Sequence, residues 1–371
     1  MDRDATPTAR VSWQGRSLTD AVLDVEVEDH DRLSDRAVIE LSDPGGMIAS
    51  IVLPGHSIAV ELGSGAATTT VFTGIVRGST CHTSAEYGDR ISIEAFDRTW
   101  LLHQERRTED HVGSINSIVT AIAQRHALVI GQIEPDDEVQ YPEANPYRQH
   151  DRTDLEAIQE LAERHRARTF VERNDGADRF YFIGTRRLLQ AEPLATLHAA
   201  PHGNLVEFRY EYDADAAAPQ LRAAGLDART GDLVQALSAA PDQMGPMAID
   251  PARRRVLEHH HAGLGTAYQQ GIDEANAALP TAPHPQPMTS HGGITDRLAA
   301  SLAADPTAAR GARGWGQVGG TPELRAKSIV EIDGIAPWAC GRWYVAAATH
   351  RYRAAAGGGS ATYATHLAVT R

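Results

Sequence analysis

Histidine runs, carboxylate runs and an arginine triplet are the residues of this 371-residue chain whose types and spacing could do chemistry. His259-His260-His261 offers imidazole nitrogens to a metal ion. Consecutive helical residues point about 100° apart, so three in a row do not converge on one ion as an i, i+4 pair would. No cysteine or carboxylate pattern beside them completes a ligand set, and the run reads as a solvated helix end. His165 follows Glu163 without the HExxH spacing of a zinc protease, which leaves it a packing or surface role. Asp136-Asp137-Glu138 is a solvated charge run ahead of a loop. Arg253-Arg254-Arg255 could touch phosphate, but it sits in a chain of formal net charge −14 and balances it.

The motifs that carry catalysis are missing. The chain has no GxSxG, P-loop or CxxC. Its two cysteines, Cys81 and Cys340, are too far apart for a disulfide framework or a zinc knuckle, and are expected to be reduced and partly buried. Trp13, Trp100, Trp315, Trp338 and Trp343 are placed at strand ends, where core or subunit-interface packing explains them better than a sugar platform. A glycan hydrolase would need two carboxylates facing one cleft, and no pair suggests itself. The expectation is therefore a protein that is not an enzyme, with no catalytic, cofactor-binding or metal residue to nominate.

Composition narrows the class. Hydrophobic residues make up 42% and charged residues 23%, as in ordinary folded proteins, while aromatic content is low at 6%. No apolar run approaches the ~20 residues of a membrane helix, so no membrane insertion is expected. The start Met1-Asp2-Arg3-Asp4 does not read as a secretory signal, which implies synthesis in a cytoplasm. The acidic balance disfavours stable nucleic-acid binding and a grip on anionic lipid.

Most elements of the chain are strands. Leu23-Asp24-Val25-Glu26-Val27-Glu28 alternates apolar and acidic residues with period two, the pattern of a strand with one buried and one wet face. Similar strands are predicted at 36–41, 57–62, 71–80 and 89–96, separated by the turns Asp43-Pro44-Gly45-Gly46, Pro54-Gly55, Gly63-Ser64-Gly65 and Tyr87-Gly88. Short strands without intervening helices predict an antiparallel barrel or sandwich over 8–100.

The period then changes. Ile115, Ile118, Val119 and Ile122 form a helical stripe behind a Ser114 cap, and Leu155, Ile158, Leu161 and Ala162 form another behind a Thr153/Glu156 capping box. Strands at 168–172 and 179–183 complete a small α/β domain over 101–200. Strand character returns at 204–212, 310–316, 328–332, 343–352 and 362–369. Between them, 214–306 is an Ala- and Pro-rich insertion with helical patches at 251–263 and 266–279 and an extended or looped stretch at 280–287.

The segment at 57–62, with its following hairpin, is echoed at 328–332 and the hairpin after it, as a duplicated barrel would require. The predicted fold class is thus α+β and mostly β. Two related antiparallel β-barrels, at 8–100 and at 201–213 with 307–371, enclose the α/β domain and the insertion.

The series Val71-Phe72-Thr73-Gly74-Ile75-Val76, Ile91-Ser92-Ile93-Glu94-Ala95-Phe96-Asp97, Tyr147-Arg148-Gln149-His150-Asp151-Arg152-Thr153-Asp154-Leu155 and Gly341-Arg342-Trp343-Tyr344-Val345 resembles the phage late control gene D proteins. These are the contractile-tail hub family related to the amino-terminal part of VgrG spikes and to myophage baseplate hubs. The resemblance covers nearly the whole chain, in order. It implies a homotrimer whose three pairs of barrels form a six-membered ring joining a sixfold Hcp-like inner tube to a threefold spike. A separate spike chain, other baseplate proteins as partners, and assembly into the baseplate of a tail or injection particle are implied with it. The alternatives are a β-rich cell-wall glycan hydrolase or a receptor- or glycan-binding tail module.

Overall fold

The computed structural model describes residues 6–86, 88–136, 138–174, 176–199, 203–212, 312–336, 338–356 and 358–371, together with residue 270 and short strands at 221–226, 233–237 and 284–287. Strands β1 (Pro7–Trp13), β2 (Arg16–Ser17), β3 (Val22–His30), β4 (Arg36–Ser42), β5 (Ser57–Ser64), β6 (Ala67–His82) and β7 (Arg90–Phe96) come first. The alternation read in β3 is real, with Val25 and Val27 fully buried and the acidic neighbours facing outward.

The middle of the chain holds β8 (Arg106–His111), β9 (Gly113–Ser114), α1 (Ile115–Arg125), β10 (Val129–Glu134), β11 (Gln140–Tyr141), β12 (Tyr147–Thr153), α2 (Asp154–Arg164), β13 (Ala167–Asn174), β14 (Ala177–Gly184) and α3 (Thr185–Gln190). Both caps form as expected: Ser114 accepts from Ser117 N, and Thr153 and Glu156 complete a reciprocal capping box. The α1 stripe is fully buried, whereas on α2 Leu155 is only half-buried and Ala157 takes its place in the core. These helices pack over the β10-β14-β13 sheet around a core centred on Phe180 and Phe182.

The remaining strands are β15 (Ala195–His198), β16 (Leu205–Tyr212), β17 (Leu221–Leu226), β18 (Leu233–Leu237), β19 (His284–Pro287), β20 (Ala312–Gly319), β21 (Ile329–Asp333), β22 (Gly341–Arg353) and β23 (Thr362–Thr370). β17, β18 and β19 form a separate three-stranded sheet within the expected helical and looped insertion. The helical patches predicted there lie outside the described residues, apart from Gln270.

The expectation of two closed barrels requires correction. Among the described residues the main ladder is one 13-stranded sheet in the order β16-β20-β23-β22-β3-β4-β7-β6-β5-β1-β2, with β21 and β15 branching from β22, and it does not close. The reason is β22. Its first residues pair with β21 and its last with β3, so one strand serves both halves of the sheet.

The two halves nonetheless repeat one another strand for strand. The first reads β1-β5-β6-β7-β4-β3 across the sheet and the second β15-β21-β22-β23-β20-β16, which is the same permutation of chain order. The registers coincide too: Arg36 faces Phe96 as Arg313 faces Thr370, and Ser57 faces Ile75 as Ile329 faces Tyr344. A bulge follows Val76 in β6 and Val345 in β22, and another lies between Val22 and Asp24 in β3 and between Leu205 and Glu207 in β16. One departure breaks the copy, since β1 runs antiparallel to β5 whereas β15 runs parallel to β21. Each half has its own core, but Tyr352 and Tyr363 of the second half pack into the first.

Candidate functional site

The end of β3 with the loop after it, strand β13 and the segment before β21 meet at a buried cluster of charges. Asp29, at the end of β3, accepts from Lys327 Nζ, from Arg325 Nε at 2.6 Å and from the Ala326 amide at 3.1 Å. Lys327 also donates to the His30 carbonyl at 3.1 Å and lies 3.8 Å from both Asp35 and Glu172. Its ammonium stands 5.0 Å from the centre of the Phe170 ring. Beside it, Arg168 Nε donates to Asp31 at 2.9 Å. Residues of the first half-sheet, the middle domain and the second half-sheet therefore surround one ammonium group.

Burial and charge divide the carboxylates of this cluster. Burial disfavours the Asp29 anion, but the Lys327 and Arg325 cations outweigh it and hold Asp29 well below the usual carboxylate range. Burial, reinforced by the Asp29 charge, pushes Asp35 well above that range. Asp97 is pushed up to about 6 by burial, against the Thr99 hydrogen bonds and the Lys327 charge. Lys327 is held charged: burial disfavours the cation, but Asp29, Asp35 and Glu172 more than offset it.

Asp97 gives a signed pH effect. Its folded pKa lies above the unfolded value, so its contribution to stability is complete below about pH 4 and is lost as pH rises through about 6. Asp97→Asn keeps the Oδ1 acceptor for the Thr99 amide, which lies at 3.0 Å, and removes the titration. Urea denaturation is expected to show the variant gaining on the native protein between pH 4 and pH 7.5 by on the order of 2–3 kcal/mol. His350, held down to about 4 chiefly by burial, costs stability as pH falls below its unfolded value. That cost is common to both proteins and cancels in the difference. A difference independent of pH would show that Asp97 is not the titrating group.

The middle domain contains a second network. Gln149 donates to Asp154 Oδ1 and to the Arg152 carbonyl, both at 2.9 Å, while its Oε1 lies 2.9 Å from His111 Nε2. Asp154 also accepts from Arg125 at 3.1 Å and lies 2.7 Å from His126 Nε2. Against the cost of burial, the Gln149 and His126 hydrogen bonds and the Arg125 charge hold its carboxyl below the usual range. The Gln149/Thr153-Asp154 motif thus fixes the bulge between Gln149 and Arg152 in β12 and joins α1 to α2. Beside it lies a shallow depression of about 440 Å³ lined by Arg106, His150, Asp151, Arg152 and Glu156.

The residues singled out from sequence scatter. His259-His260-His261 and Arg253-Arg254-Arg255 lie outside the described residues. His165 caps α2 and meets the Tyr141 hydroxyl at 2.7 Å, and Asp136 accepts from the Arg186 amide at 3.1 Å. Trp13 and Trp343 are buried, while Trp315 is 43% exposed. The pair of partly buried thiols is corrected: Cys340 is buried and Cys81 exposed. No group of three or more His, Cys, Asp or Glu among the described residues could hold a metal ion, and no described helix is long and apolar enough to cross a membrane. The sequence reading missed the Lys327 cluster, although a signal existed. Lys327 is the only lysine in a chain with 35 basic residues, all the others being arginine.

No protein-family model and no curated protein matches the chain. Solved structures do. The tail protein from Neisseria meningitidis MC58 is 12% identical and superposes with a TM-score of 0.64 over 99% of this chain and 97% of that one. The 43 kDa tail protein of prophage MuSo2 from Shewanella oneidensis is 11% identical, with a TM-score of 0.62 over 99% and 97% of the two chains. An E. coli component of the type VI secretion system, described as similar in structure to T4 bacteriophage tail proteins, is 12% identical, with a TM-score of 0.57 over 97% of this chain and 76% of its own. At such identities the likeness is one of fold. This chain has the fold of phage tail proteins and of VgrG-related proteins.

Proposed function

We propose that the chain is the structural hub of a contractile tail or tail-like injection machine. Three copies present six related half-sheets to a sixfold inner tube and take a threefold spike on the opposite side. The observation that carries this reading is the repeated strand order with its matched registers and bulges. A protein with two equivalent units per chain reconciles threefold with sixfold symmetry by forming a trimer. In this reading residues 8–100 form the first tube-like unit, 101–200 the middle domain, 201–213 with 307–371 the second unit, and 214–306 an insertion. The buried Lys327 cluster supports it, because a conduit needs units that keep a fixed relation while cargo passes.

The partners in this reading are an Hcp-like tube protein, a spike protein and other baseplate proteins. Size-exclusion chromatography with light scattering, at concentrations up to several milligrams per millilitre, is expected to return three times the chain mass. Mixing with the cognate tube protein is expected to shift that peak. A protein that stays monomeric throughout and leaves the tube protein unshifted would overturn the reading.

A further inference from the structure

The two halves are joined inside one chain by β22 and β3, in a register that sets Ala348 against Asp29, Thr349 against Glu28, His350 against Val27 and Arg351 against Glu26. Because the halves repeat, each carries both of the edges that make this joint. The edge equivalent to that of β22 lies on β6 beyond its bulge. The edge equivalent to that of β3 is the outer side of β16. Inside one chain only one of the two possible joints is made.

Among the described residues the other two edges have no ladder partner. Pairing of β6 with β5 stops at Ile75, the Val76 amide and carbonyl are taken by His56 and Gly55, and β16 ends the sheet. Exposure records the missing cover. Ala348 and His350 are fully buried, whereas their equivalents Ser79 and Cys81 are exposed. The segment Gly78-Ser79-Thr80-Cys81-His82 carries no proline, lysine or carboxylate, the devices that usually keep a free edge from pairing.

The geometry points to β6 of one chain pairing antiparallel with β16 of a second copy, which repeats the internal joint between molecules. Transferring the β22–β3 register through the matched ladders sets Ser79 against Tyr212, Thr80 against Glu211, Cys81 against Tyr210 and His82 against Arg209. The half-buried rings of Tyr210 and Tyr212 then lie across from the small side chains of Cys81 and Ser79, as a well-packed strand pair requires. The ion pairs of the internal joint, Arg351–Glu26 and Arg353–Asp24, are not copied, so the joint between molecules rests on backbone ladder and aromatic cover. The contact is heterologous and closes into a ring only at a fixed copy number. Three copies is the number taken here, and that part rests on the proposed hub reading.

The test uses the full chain with Thr80→Cys and Glu211→Cys in a Cys81→Ser background. Directly opposed residues in an antiparallel pair stand about 4.5–5.5 Å apart at Cα, within disulfide reach, whereas diagonal neighbours at about 7–8 Å are not. Mild oxidation is expected to give a covalent trimer on a non-reducing gel that collapses to monomer with reductant. Thr80→Cys with Arg209→Cys, two residues out of register, is expected to give at least tenfold less. Hydrogen exchange on the native protein supplies a measurement without mutation, in which amides of 78–82 and 205–212 are expected to be protected in the trimer. A light-scattering trimer that neither cross-links at this pair nor protects these amides would overturn the strand pairing and leave the hub reading standing. A monomer at every concentration would overturn both.

Discussion

Lys327→Met is expected to destabilise the chain by about 3–5 kcal/mol, because removing one partner of a buried ion pair leaves the other charge uncompensated. Lys327 and Asp29 are both nearly inaccessible, and Asp29 would keep only Arg325 and one amide. Lys327→Arg is not expected to restore the loss. The pocket receives a compact ammonium from below a phenyl ring, and a planar fork demands a different arrangement of acceptors. The backbone adds a further constraint, since Lys327 has a φ of +64° in the left-handed region. Lys327→Gly would relieve that strain while losing the charge, so it should fall between Met and the native residue. Urea denaturation of the three variants tests this order. A loss below 1 kcal/mol for Met would mean that the cluster is not a determinant of stability.

Gly74→Val is expected to cost about 3 kcal/mol, near the upper end for forcing atoms into a packed site. A Cβ at Gly74 would stand 2.3 Å from the Phe96 carbonyl oxygen and 2.5 Å from the Phe72 ring. The carbonyl belongs to the ladder between β6 and β7 and has nowhere to move. This glycine sits where β6 passes from β5 to β7, so the variant should disturb the edge beyond it as well. Thermal unfolding of Gly74→Val beside Gly319→Val supplies the control, because a Cβ at Gly319 meets nothing within 4 Å. Equal melting temperatures for the two variants would contradict the packing argument.

Much of this was legible in the sequence, because period-two patterns report directly on which face is wet. β3, β4, β5, β7 and β23 were all found where alternation placed them, and both helices began at their caps. The strands β8 and β12 were not legible. Arg106–His111 is polar throughout and mostly exposed up to the buried His111, and β12 carries a bulge that breaks its period. β1 was missed as well, although Ala9, Val11 and Trp13 alternate inward, because its predicted domain began beside it without a strand being assigned. The repeat was legible only as an echo of two hairpins. Closure was misread because the sequence of a strand does not say how many partners share its two edges.

The site was the least legible part. Asp29, Asp35, Asp97 and Lys327 are spread over 298 positions and share no common motif, so only the fold brings them together. Composition held the one clue, a solitary lysine among arginines, whose significance depends on where it is buried.

Arg353 and Asp24, which face each other across β22 and β3, are separated by 329 positions. On a ribosome adding 5–20 residues per second, the second strand of the first half waits roughly 15–65 s for its permanent neighbour to be made. During that interval its backbone is open to any strand that passes, including one from a chain on the next ribosome of the same message. Production of this protein is thus governed by a delay built into its connectivity, and slower translation of the last stretch of the message should raise the aggregated share.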